Sequence, residues 1–156
     1  MIAACPHREH GVLGRSLPVA ARLAAWVWAS PYTALGLLIG AIGLLGGGRA
    51  RRRGPVVEFY GGAAALVLRC LPGGGSLVAM TLGHTILGRT AAALDLARAH
   101  ELVHVRQFER WGPLMGPAYL LCSLVLWLAR RDPYRDNPFE RQARAMSTDH
   151  NDAADV

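Results

Sequence analysis

The stretch that most constrains this chain is Ala97–Trp111, ARAHELVHVRQFERW, because it sets His100-Glu101-Leu102-Val103-His104 in a helical context. Two histidines four residues apart stand one turn from each other on the same helical face. In that arrangement both imidazoles can ligate one Zn²⁺, and the glutamate after the first can take a proton from a water at the metal. A helical wheel at about 100° per residue gathers Ala93, Leu96, Ala97, His104, Gln107 and Trp111 around His100. Asp95, Arg98, Arg106, Glu109 and Arg110 collect on the opposite arc. The histidines therefore fall on the apolar side, where an imidazole needs a partner. Thr90 is the expected cap of this helix and Gly112-Pro113 its stop.

Leu23–Gly48 (LAAWVWASPYTALGLLIGAIGLLGGG) has no charged side chain. At about 1.5 Å per residue it is long enough to cross a hydrocarbon core of about 30 Å. Trp26, Trp28 and Tyr32 suit one interface, and Pro31 either kinks a single span or divides it. The chain is 52% hydrophobic, its net charge is +6, and every basic residue is arginine. A basic balance suits nucleic acid or anionic lipid. No nucleic-acid motif accompanies it, and the arginines gather beside apolar stretches, so membrane lipid is the expected partner and nucleic acid is not. Arg49, Arg51, Arg52 and Arg53 follow the span more densely than Arg8, Arg15 and Arg22 precede it, which places the remainder on the cytoplasmic side. Cys5, Cys70 and Cys122 are odd in number and scattered, which argues against a disulfide framework.

Residues 1–22 read as a basic head in which Cys5, His7 and His10 belong to a loose terminus. From Gly54 the pattern is β. Val56–Tyr60, Ala65–Leu71 and Leu77–Leu82 are short strands separated by Gly61-Gly62 and Pro72–Gly75, with Thr85–Leu87 as a fourth. They form a small antiparallel meander ahead of the HExxH helix, although Ala63–Leu68 also has helix propensity. A second apolar helix is expected over Pro117–Arg130, with proline at its first turn and too few apolar residues for a span. Asn137 or Asp136 caps a last helix starting at Pro138, and 146–156 reads as a disordered polar tail. The expected fold is α+β: an N-terminal membrane helix over 23–48, then a domain over 54–145 made of the meander and three helices.

A catalytic zinc takes three protein ligands and keeps one position open. Glu140, thirty-six residues after His104, is the candidate third ligand; a solvated carboxylate at a positive helix end is the alternative. His100-Glu101-Leu102-Val103-His104 followed by Glu140-Arg141-Gln142-Ala143 resembles the gluzincin metallopeptidases, most of all small or membrane-associated members such as the heat-shock and CAAX-type membrane proteases. The resemblance covers about residues 54–145, and its specific content is the two short motifs. It implies His100, His104 and Glu140 as zinc ligands, Glu101 as general base, a three-helix zincin-like unit, and an edge strand that lays out a peptide substrate. In those proteases the alanine is commonly followed by an aspartate that orients a histidine. Here Arg144 stands in its place, and Asp132 or Asp136 is the expected substitute. Tyr134 and His84 are the nearest in type to an oxyanion donor, and Gln107 either contacts the site or packs beside it. The chain is thus expected to be a membrane-anchored zinc metallopeptidase acting on a peptide or protein. Its rivals are a non-catalytic module held together by zinc and a metal-free adaptor at the membrane surface.

Overall fold

A computed structural model describes residues 19–71 and 77–152; Cys5, His7 and His10, most of the basic head, the Pro72–Gly75 turn and residues 153–156 lie outside the described residues. The elements run α1 (Val19–Leu45), β1 (Arg49–Arg53), β2 (Val56–Tyr60), α2 (Gly62–Cys70), β3 (Ala79–Leu82), β4 (Thr85–Gly88), α3 (Ala91–Trp111), a 3₁₀ turn (Gly112–Leu114), α4 (Met115–Leu128) and α5 (Pro138–Asp152). The class is α+β, but the sheet is not a meander. Its order is β1-β2-β4-β3, with β2 and β4 parallel between two antiparallel pairs. Parallel neighbours need a crossover, and α2 forms part of it, occupying the segment expected as the strand Ala65–Leu71. The reason is local: Gly62–Leu68 is rich in alanine and leucine, strong helix formers, and Ala64 and Leu68, one turn apart, are both buried.

Strand β1 was not expected, because RARRR has no apolar alternation. Ion pairs hold it instead. Arg51 Nε lies 2.6 Å from Glu58 Oε2 on β2, and Arg98 of α3 holds the other carboxylate oxygen. Arg51 and Arg53 reach Asp95 of α3 at 2.7 and 2.8 Å. Glu58 is fully buried, and a buried carboxylate persists only with such partners.

Helices cover both faces of the sheet. On one, Val56, Ala79 and Ile86 pack against Leu94 and Val105 of α3. On the other, Phe59 and Leu87 meet Ala64 of α2 and Ile39 of α1. The apolar N-terminal helix therefore lies against the sheet as one of its layers. Two of its glycines make the approach possible: a Cβ on Gly36 would come 2.7 Å from Thr85 Cβ, and one on Gly40 would come 2.3 Å from the Phe59 ring. Nearer its N-terminus, Ala29 and Tyr32 join Phe108, Met115, Ala118, Tyr119 and Phe139 in a separate apolar cluster. The helix continues through Pro31.

Leu23–Leu45 and Ala91–Leu128 are long and apolar enough, by length and composition, to cross a membrane. The apolar part of the second is α4, since α3 exposes Asp95, Arg106 and Arg110. At the C-terminal side α5 runs on to Asp152, so helix occupies most of the expected disordered tail. Extending a formed helix adds one backbone bond per residue without a new nucleus, and the hydroxyls of Ser147 and Thr148 both donate to the Arg144 carbonyl at 3.0 Å.

Candidate metal centre

Helix α3 starts where Thr90 Oγ1 accepts from the Ala93 N–H at 3.1 Å and stops at Gly112, whose φ of 53° suits glycine. Within it His100 and His104 turn to one point, their Nε2 atoms 3.0 Å apart. Helix α5 brings the third group. Asn137 caps it by accepting from the Phe139 N–H at 3.0 Å. The Asn137 amide donates to the Tyr119 carbonyl at 3.2 Å and to Ser123 Oγ at 2.9 Å. These bonds tie the start of α5 to α4 and set Glu140 over the histidines. Glu140 Oε2 is 3.2 Å from His100 Nε2, and Oε1 is 3.5 Å from His104 Nε2. One donor atom from each of the three residues lies within 4.8 Å of the others. The Tyr119 hydroxyl donates to Glu140 Oε1 at 3.0 Å, whereas Oε2 is buried without a hydrogen-bond partner. Two imidazoles and a carboxylate are a zinc-type donor set, and a buried carboxylate oxygen facing two ring nitrogens, with the Arg144 guanidinium 4.0 Å away, fits a cation.

Gln107 fixes the orientation of His104. Its Oε1 lies 2.8 Å from His104 Nδ1, while its Nε2 donates to the Phe139 carbonyl at 3.0 Å and to Gln142 Oε1 at 2.9 Å. With the amide protons so committed, the oxygen faces the ring, Nδ1 carries the proton, and Nε2 keeps its lone pair. Neither Asp132 nor Asp136 orients a histidine. Asp132 accepts from the backbone N–H groups of Tyr134 and Arg135 at 2.9 and 2.8 Å, and Asp136 pairs with Arg131 at 3.2 Å. Both serve the turn before α5, a common use of aspartate.

Glu101 is buried on the flank of the site. Its Oε2 accepts from Thr81 Oγ1 of β3 at 2.7 Å. Thr81 was not singled out in the sequence; its signal is the alternation along β3, which turns Ala79 and Thr81 toward the same face. Burial pushes the Glu101 carboxyl above its usual range, against the opposing pull of His104 and Thr81. For Glu140 burial also acts upward, but the nearby His100 and His104 rings outweigh it and hold the carboxyl well below the usual range. Burial pulls His104 down, and Glu140 and Glu101 reverse this, so its pKa is raised.

A cavity of about 590 Å³ opens beside these groups, lined among others by Val78, Ala79, His100, Glu101, Tyr134 and Arg144. Its Ala79 wall belongs to β3, an edge strand of the sheet. Burial and the Glu140 charge push the Tyr134 phenol up to about 12, so it remains a protonated donor. His84 is elsewhere: its Nε2 lies 3.1 Å from Glu109 Oε1, and its ring stacks on Trp26 with centroids 3.8 Å apart. No family model, no curated protein and no solved structure matches this chain.

Proposed function

We propose that the chain is a membrane-associated zinc metallopeptidase of the gluzincin type, with His100, His104 and Glu140 holding the metal and Glu101 acting as general base. The observation that carries this reading is the convergence of His100, His104 and Glu140 from two helices, with one donor atom of each within 4.8 Å of the others. The cavity beside His100 and Glu101 adds to it. Structural zinc is closed by four protein ligands, whereas three ligands next to open space suit a catalytic site.

Bound Zn²⁺ supplies Lewis acidity toward a substrate carbonyl and toward water. Glu101 takes the proton of the attacking water and returns it to the leaving amine, and a carboxyl with a raised pKa suits that exchange near neutral pH. Thr81 engages Glu101 Oε2, which leaves Oε1 for the proton. Gln107 keeps His104 Nε2 free of a proton, and Tyr119 steers Glu140. Tyr134, a neutral phenol on the cavity wall, suits donation to the developing oxyanion. The edge of β3 offers a peptide substrate a strand to pair with, as the gluzincin resemblance implies. The arginines that follow α1 suit the anionic cytoplasmic leaflet.

The test separates the two glutamates. Glu101→Gln keeps zinc and loses about 10²–10⁴-fold in turnover of an unstructured protein substrate, whereas Glu140→Gln weakens zinc itself. A Glu101→Gln chain indistinguishable from wild type wherever His104→Ala fails removes the peptidase and leaves a zinc-stabilised module.

A further inference from the structure

Helix α1 is apolar on every side, yet its two sides are treated differently. Ala29, Thr33, Gly36, Gly40 and Gly43 are buried at steps of four, three, four and three residues. They press onto the β3–β4 turn, the sheet and the start of α2. The His84 backbone N–H donates to Thr33 Oγ1 at 3.0 Å. A Cβ on Gly83 would come 2.9 Å from the Ala29 carbonyl oxygen, and one on Gly43 would come 3.4 Å from the Ala63 nitrogen. The opposite seam, Val27, Leu35, Leu38, Ile42 and Leu45, is exposed.

The buried seam from Ala29 to Gly43 spans about 21 Å at 1.5 Å per residue, against a hydrocarbon core of about 30 Å. If α1 crossed that core, the sheet fastened along it would enter the lipid too. Exposed Arg49 and Arg52 of β1 would go with it, and behind the sheet so would Asp95, Arg106 and Arg110 of α3. Charges facing lipid at that depth are strongly disfavoured. The other stretch long and apolar enough, Ala91–Leu128, includes the exposed charges of α3, and α4 alone, with 14 residues, reaches about 21 Å.

Helix α4 does, however, expose Leu120, Leu121, Leu124, Val125 and Leu128 with no charge among them. It shares with α1 the cluster that contains Ala29, Tyr32, Met115 and Ala118, so the two exposed seams flank one packed region. Exposed arginines follow each helix: Arg49 and Arg52 after α1, Arg130 and Arg131 after α4. Over the chain the net charge is +6. A large apolar surface bordered by cationic side chains fits an anionic lipid surface.

We propose that the chain is monotopic: the outer seams of α1 and α4 lie in the headgroup–acyl boundary of one anionic leaflet, and no helix crosses the bilayer. This stands independently of the metal site. It is tested in the full chain with Cys5, Cys70 and Cys122 replaced by serine and one cysteine introduced at exposed Ala20, in the first turn of α1, or at exposed Arg52, beyond its C-terminal end. A membrane-impermeant maleimide is applied to right-side-out and to inside-out bacterial vesicles. The expected result is that both positions react in the same vesicle orientation and are shielded together in the other. Reaction from opposite sides overturns the proposal. So does a chain that stays soluble, as a monomer or a dimer, and fails to float with phosphatidylglycerol vesicles. Leu38→Glu with Ile42→Glu changes only exposed positions. It should release the chain from membranes with its unfolding temperature kept, and a chain that remains membrane-bound contradicts a seam that lies in lipid.

Discussion

Gln107 is the side chain on which the geometry of the centre most visibly depends. It alone accepts from His104 Nδ1, and it donates to the first turn of α5, the turn that carries Glu140. Replacing it by methionine keeps the bulk and removes both functions, so zinc affinity should fall about 10–100-fold in a chelator-competition titration. An unchanged affinity would show that packing alone orients the ring. The position of Gln107 was legible, since it lies on the metal face one turn past His104; its role was not, because an amide either orients a ligand or simply packs. Glu140 was legible through its spacing to the HExxH motif. Thr81 was not, since a hydroxyl in a four-residue strand carries no motif. The centre also sets a pH dependence for the metal-free chain. The Glu140 carboxyl is held below its unfolded value, so its contribution is present above about pH 4.3 and is lost as pH falls through the folded pKa. His104 is raised above its unfolded value, so its contribution is complete below about pH 6.5 and fades as pH rises through the folded pKa. The unfolding temperature without metal should therefore be highest near about pH 5–6. Zinc needs neutral imidazoles, so zinc affinity should rise over the range where metal-free stability falls. A His104→Ala chain with the same metal-free pH profile as wild type would contradict this assignment.

Among the elements, β1, β2 and α3 are joined through Glu58. The carboxylate is 1% exposed, and Arg51 and Arg98 remain 20% and 25% exposed. Truncating a buried partner leaves the other charges uncompensated. Because these arginines retain some water, Glu58→Ala should destabilise by about 3 kcal/mol, the lower end for such breaks, read as a shift in denaturant midpoint with unchanged slope. A loss below about 1 kcal/mol, the size of an exposed pair, would mean that β1 is held by its ladder alone. Helix α3 was readable because cap, period and stop agreed. The β1 strand was not, since Arg51 finds Asp95 44 residues away and nothing local in RARRR suggests a strand. The Ala65–Leu71 segment was misread because a short apolar run suits a buried strand and a buried helix equally. The parallel pairing of β2 with β4 follows from where the crossover goes, which no local pattern records.

For the molecule as a whole, one sheet carries the site on one face and the apolar helix on the other. The layer that contains α3 brings His100, Glu101 and His104 toward β3 and α5, and the layer that contains α1 leaves its outer apolar seam exposed. The hydrophobicity of Leu23–Gly48 was plain in the sequence, and Leu23–Leu45 is long and apolar enough to cross a membrane, but its packing against the sheet was not legible, because composition does not record which side of a helix is buried. The buried glycine seam of α1 is what lets the sheet approach it. Zinc content reads the metal centre itself: the full chain purified without chelator, wild type beside His104→Ala, with protein and zinc quantified on the same sample. The expectation is one zinc per wild-type chain and none held stoichiometrically by the variant. A wild-type chain that stays essentially zinc-free after incubation with the metal, or a His104→Ala chain that retains a full equivalent, would contradict it.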